Sequence, residues 1–328
     1  KTVQAVEVEH QRAEWIPLDD EVRPDFAALA AVDPGDLKVL SRSDDDASWV
    51  VAFLHDAGPV RYYRYDRPTR TAHYLFSNRS DLDGYVLTPM FPQVIEARDG
   101  TELISYLSLP AWSDPDASGR PDRPLPMVLD VHGGPWARDS WGFNPEHQLL
   151  ADRGYAVLSV NYRGSTGFGK AFLNAGNKQW AAAMHDDLLD AVDWAVAEGI
   201  ADRDRIAIHG GSYGGYATLV GLTYTPDVFA CGVDIVGPSN LITLLESIPP
   251  YWAPMLQVFK DRVGDPTTDA GREFLASRSP LTYADRIRRP LLIGQGANDP
   301  RVKQAESEQI VAAMESHGIP VTYVLFPD

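Results

Sequence analysis

One stretch of the 328-residue chain concentrates residue types that could do covalent chemistry: Arg205-Ile206-Ala207-Ile208-His209-Gly210-Gly211-Ser212-Tyr213-Gly214-Gly215-Tyr216. A short apolar run ends in glycines around one serine, and a helix-compatible stretch, Ala217 to Tyr224, follows. The pattern Gly210-x-Ser212-x-Gly214 suits a sharp strand-to-helix turn that lifts a serine hydroxyl above the edge of a sheet. The glycines have a steric reason, because so abrupt a turn brings backbone segments together where side chains would collide.

A serine hydroxyl attacks a carbonyl only if a base takes its proton, and a carboxylate must hold an imidazole base in its useful tautomer. On a sheet of this kind the chain order is Ser, then Asp or Glu, then His. Asp299, in Gly296-Ala-Asn-Asp-Pro-Arg-Val after the apolar run Leu291 to Ile293, is the preferred acid, and Asp234 is the runner-up. The third member is harder to place. Only His317 lies beyond Asp299, and Gly318 and Pro320 mark it as the end of a helix, where histidines more often meet terminal carbonyls. His209 reads as support for the turn. A glycine-rich loop, His132-Gly133-Gly134-Pro135, could supply a backbone amide that, with the amide of Tyr213, stabilises a developing oxyanion.

The elements needed to hold these groups are legible. Strands are expected at Met127–Val131, Tyr155–Asn161, Arg205–His209, Cys231–Gly237, Leu291–Gly296 and Val321–Phe326. Helical spacing appears over Trp180–Glu198 and Val302–Ser316. Alternating strands and helices imply an α/β domain with a largely parallel sheet, whose chemistry gathers at the C-terminal strand ends. Before about Pro92 the chain reads as β structure, with strands at Asp36–Ser41, Trp49–Leu54, Arg61–Tyr65 and His73–Phe76. A β-rich segment over 1–90 and a catalytic domain over 91–328 follow. Leu241 to Phe259 reads as an apolar excursion in which Tyr251 and Trp252 line a substrate pocket.

Forty-four per cent hydrophobic residues describe an ordinary globular chain, and a net charge of −17 argues against nucleic acid and anionic membrane partners. Cys231 is the single cysteine, which excludes thiolate clusters and fits a reducing, cytoplasmic setting. No histidine pair has ligand spacing, so no metal or cofactor is expected, and Gly164-x-x-Gly167-x-Gly169 is assigned to loop packing rather than phosphate binding. Homo-oligomerisation is left open.

Four separated motifs agree in order: His132-Gly-Gly-Pro, Asn161-Tyr-Arg-Gly-Ser-Thr-Gly-Phe-Gly, Gly210-Gly-Ser-Tyr-Gly-Gly-Tyr and Gly296-Ala-Asn-Asp-Pro-Arg-Val. In these the chain resembles the prolyl oligopeptidase family of serine peptidases, in particular its acylaminoacyl-peptidase-like branch. The resemblance implies an α/β-hydrolase fold with a partial N-terminal β-propeller remnant, and a short peptide as substrate. It implies Ser212 as nucleophile, Asp299 as orienting acid, Gly134 and Tyr213 as oxyanion donors, and Arg301 as a holder of a substrate carbonyl. It also implies a base in a loop after the last strand, beyond Asp328, so that the chain alone is expected to turn over little. Carboxylesterase action on the same fold and a non-catalytic scaffold are the alternatives.

Overall fold

The computed structural model describes residues 2–248 and 250–327. An N-terminal ribbon, β1 (Ala5–Glu9) and β2 (Ala13–Pro17), leads through α1 (Arg23–Leu29) into an antiparallel meander of β3 (Asp36–Arg42), β4 (Ser48–Leu54), β5 (Arg61–Asp66) and β6 (Thr71–Ser77). Four antiparallel neighbours in chain order have the form of one propeller blade. The helix α1 departs from the all-β reading of this region. A proline in its first turn sets the helical φ, and Phe26 and Leu29 enter a small core with Trp49 and Tyr65. Seven residues are too few for periodicity to announce it.

An eight-stranded sheet then begins at β7 (Met90–Glu96) and β8 (Glu102–Ser108), followed by β9 (Leu125–Val131), α2 (Pro145–Asp152) and β10 (Ala156–Val160). After α3 (Gly169–Ala175) and α4 (Ala183–Ala197) come β11 (Ala201–Gly211), α5 (Tyr213–Tyr224) and β12 (Cys231–Ile235). Three helices, α6 (Leu241–Glu246), α7 (Ala253–Arg262) and α8 (Asp269–Ser277), precede β13 (Leu291–Gly296), α9 (Gln304–Ser316) and β14 (Thr322–Phe326). The strand order is β14-β13-β12-β11-β9-β10-β8-β7, antiparallel at β8 and β7 and parallel elsewhere.

The chain passes from β9 to β10 on one side and then crosses to β11 on the other, so β9 and β11 flank the point where strand order reverses. A crevice forms at such a point, which is where open α/β sheets place their ligands. Strand β9 is buried on both faces from Met127 to Val131, as a covered parallel sheet requires. Helix α5 is buried on every side from Tyr213 to Thr223, and so reads as core rather than as an amphipathic surface helix. The apolar excursion at Leu241–Phe259 is more regular than its sequence suggests. Asn240 caps α6 by accepting from the Ile242 amide at 3.0 Å, and a proline in the first turn of α7 occupies a position where its missing donor costs nothing.

Candidate active site

Strand β11 ends at Gly211 and α5 starts at Tyr213, leaving Ser212 alone to make the turn at φ 57° and ψ −116°. A non-glycine residue there carries backbone strain of about 1–3 kcal/mol, which the surroundings must hold in place. Its amide donates to the Ile235 carbonyl at 2.8 Å and its carbonyl accepts from the Tyr216 amide at 3.0 Å. Its hydroxyl makes no capping bond and is left for other work. Close approach explains the flanking glycines. A Cβ on Gly210 would stand 2.6 Å from the Val131 carbonyl oxygen, and one on Gly214 would fall directly on that oxygen.

The His132-Gly133-Gly134 loop at the end of β9 rests against this turn, with the Cβ position of Gly133 only 3.4 Å from Ser212 Cβ. As the first residue of α5, Tyr213 has an amide with no carbonyl four residues back inside the helix. The loop is clamped from below. The His132 ring stacks on Tyr162 at 4.5 Å between centroids, the Tyr162 hydroxyl donates to the His132 carbonyl at 2.9 Å, and His132 Nε2 meets Ser165 Oγ at 2.9 Å. Burial lowers the His132 pKa to about 4, so the ring is neutral at pH 7. Sequence reasoning gave His132 no such part. The signal was the Tyr-Arg-Gly-Ser run at the end of the next strand, which belongs to the same clamp. In the glycine run that follows, Gly164 packs against Gly176 and Gly167 lies under Arg138.

Ser212, Tyr213, Gly133, Gly134, Trp252 and Arg301 line one cavity of about 360 Å³. Its wall is mainly aromatic, with Trp136 and Trp252 both packed on Phe259 at 5.2 and 6.3 Å between centroids. Tyr251 is not among the lining residues. It is exposed, and its hydroxyl points to the Pro300 carbonyl at 3.4 Å, because the short helical turn at Pro250–Trp252 sends adjacent side chains different ways. Asp299 Oδ1 accepts from the amides of Arg301 and Val302 at 2.8 and 2.9 Å, which shapes the loop that carries Arg301. Asp234 lies fully buried against Gly215 and Gly237, beneath the start of α5. One of its oxygens accepts from the Gly237 amide at 2.7 Å, the other has no partner, and burial raises its pKa to about 7.

Among the described residues no imidazole is hydrogen-bonded to the Ser212 hydroxyl. His317 closes α9 through the Ala313 carbonyl at 2.7 Å, and His209 Nδ1 donates to Asp130 Oδ1 at 2.9 Å. His147, on α2, is enclosed, with its ring nitrogens on Ser108 Oγ at 3.0 Å and Ser159 Oγ at 2.8 Å. His185 meets Thr225 Oγ1 at 2.9 Å.

The sequence profile of the prolyl oligopeptidase family matches residues 141–328. The chain belongs to this family. It is 60% identical over 326 residues to dipeptidyl aminopeptidase BIII of Pseudoxanthomonas mexicana, covering 99% of the chain and 47% of that protein. It is 46% identical to dipeptidyl peptidase family member 6 of Caenorhabditis elegans, over 100% of the chain and 46% of the relative. The acylaminoacyl peptidase structure of Pyrococcus horikoshii superposes with a TM-score of 0.74 at 25% identity, over 86% of the chain and 44% of that structure. The chain thus spans about half the length of the curated relatives it matches. These likenesses bear out the α/β-hydrolase fold with propeller-like antiparallel sheets before it. They lend no support to the expectation that the prolyl oligopeptidase family chain described here is inert on its own. No helix among the described residues is long and apolar enough to cross a membrane.

Proposed function

We propose that this prolyl oligopeptidase family chain is the catalytic part of a serine peptidase that removes dipeptides from the free N-terminus of short peptides. The observation that carries the reading is the meeting of a free, strained serine hydroxyl, a Gly-Gly loop and an arginine on one aromatic-walled cavity. Ser212 Oγ attacks the scissile carbonyl as a base takes its proton, and the resulting oxyanion is held by the amides of Tyr213 and Gly134. The acyl-enzyme on Ser212 is then cleaved by water. Asp299 orients the imidazole base, and Arg301 offers its planar donor fork to a substrate peptide carbonyl. Trp136, Trp252 and Phe259 accept an apolar side chain on the residue before the scissile bond.

The choice of a dipeptide with a free amine over a blocked amino acid follows the names of the two curated relatives above, while the Pyrococcus likeness keeps acylaminoacyl release as the second reading. Parallel kinetics on a dipeptidyl anilide, an N-acetylated amino-acid anilide and a short acyl ester separate them. Ser212-dependent cleavage of the dipeptidyl anilide, at the highest kcat/KM of the three, is expected. A preference for the blocked anilide selects the second reading, and ester hydrolysis without anilide cleavage removes both.

A further inference from the structure

The face of β9 and β11 turned away from α5 carries a second group of chemically capable side chains. Ile208 packs under Gly221 of α5, so the next residue, His209, points to the other face. There it stands in register with Asp130 of the neighbouring parallel strand. Glu146, in the first turn of α2, reaches the same place, and one donor atom from each of Asp130, Glu146 and His209 lies within 4.8 Å of the other two.

Asp139, on the loop between β9 and α2, supplies a separate observation. Its Oδ2 is buried and has no hydrogen-bond partner. Burial pushes its pKa up to about 8. Among the described residues, the only hydrogen bond to any of these three carboxylates comes from His209, and none of the three forms an ion pair with lysine or arginine. Arg138, the cation that acts on Asp139, gives its own donors to the carbonyls of Glu9 and His10. Asp130 is buried, His209 half-buried and Glu146 exposed, and the imidazole is the one cationic partner these two carboxylates have among the described residues, an arrangement that a bound cation would complete.

We propose that Asp130, Glu146 and His209 bind one divalent cation of the Zn²⁺ or Mn²⁺ class. The imidazole selects these ions over Ca²⁺ and Mg²⁺, which take all-oxygen shells. The 2.9 Å between His209 Nδ1 and Asp130 Oδ1 is near the spacing of about 3.3 Å that two donors have around one tetrahedral ion with bonds of about 2.0 Å. The ion takes the place of the proton shared between them, so binding releases protons. A route in exists, since Asp139 and Glu146 line a cavity of about 620 Å³ between the blade and the large sheet. Asp130 precedes the His132 loop by two residues and His209 precedes Ser212 by three, so a bound ion ties together the two strands that carry the oxyanion loop and the nucleophile.

The test uses the purified 328-residue chain, stripped with a chelator and titrated with Zn²⁺ and with Mn²⁺. Bound metal is counted by mass spectrometry and the thermal midpoint is followed alongside. About one ion per chain and a raised midpoint are expected, with affinity falling more than tenfold in Glu146→Gln and in His209→Asn. The Glu146 carboxylate makes no hydrogen bond among the described residues, so Glu146→Gln should keep the metal-free midpoint of the parent and isolate the effect on binding. The proposal fails if the parent binds neither ion, if it binds only Ca²⁺ or Mg²⁺, or if both variants bind as tightly as the parent.

Discussion

Two cavities differ in almost every physical respect, one at the loops that leave β9 and β11 and one between the blade and the large sheet. The one at Ser212 has aromatic and aliphatic walls, while the one between blade and sheet is edged by Asp139, Glu146 and Arg138. Burial acts beneath both but neutralises opposite partners. It keeps the His132 ring unprotonated in the Gly-Gly loop, and it keeps the Asp139 carboxyl protonated at the edge of the second cavity. A two-residue period along β11 turns Ile208 toward α5 and His209 toward the opposite face. The lesson is that the turn at Ser212 is fixed by close backbone contact, with Gly210 and Gly214 against the Val131 carbonyl.

The sharpest way to break that contrast is Ser212→Ala, which should lower kcat for the dipeptidyl anilide at least about a thousandfold. Residual turnover near the parent level would move the chemistry out of the aromatic cavity. Gly214→Ala should be the most damaging change for folding, about 3 kcal/mol or more by urea unfolding, because its methyl falls on the Val131 carbonyl. An unchanged midpoint would show that α5 can retreat from β9. Trp252→Ala should raise KM about tenfold for substrates with an aromatic residue before the scissile bond, with less change for alanine there. Equal effects on both would mean that the wall does not select that side chain.

The smallest effect concerns Asp234, the buried acid under α5. Its folded pKa of about 7 lies above the ordinary aspartate value, so the fold binds this proton more tightly than the unfolded chain does. Its contribution to stability is complete at pH values below the unfolded pKa and is lost as pH rises through about 7. Asp234→Asn should therefore flatten the decline in the urea midpoint between about pH 4 and pH 8. A decline as steep as the parent's would assign it to other groups.

Legibility in the sequence followed the range of the interactions. Ser212 with its glycines, the Gly-Gly loop, Asp299 and Arg301 stand out because each belongs to a short motif whose backbone geometry is local. The α/β sheet is equally plain, since its strands are apolar runs of the expected length. Asp130, Glu146 and His209 are different. They are spread over three elements, and only the parallel register of β9 with β11 and the seat of α2 bring them together. No spacing rule could have found them. Tyr251 and Trp252 show the converse limit, for they are adjacent in sequence and part company at a single helical turn.

The all-round burial of α5 has a kinetic meaning. A helix with no solvent face has no partial route of opening, and exchange of its amide hydrogens must wait for the sheet to come apart. Ser212 sits at the head of that helix, so the lifetime of its geometry is that of the folded domain itself. Denaturant that merely loosens the surface should leave Ser212 as it was, and its reactivity should disappear in a single step with the last-exchanging amides of the core.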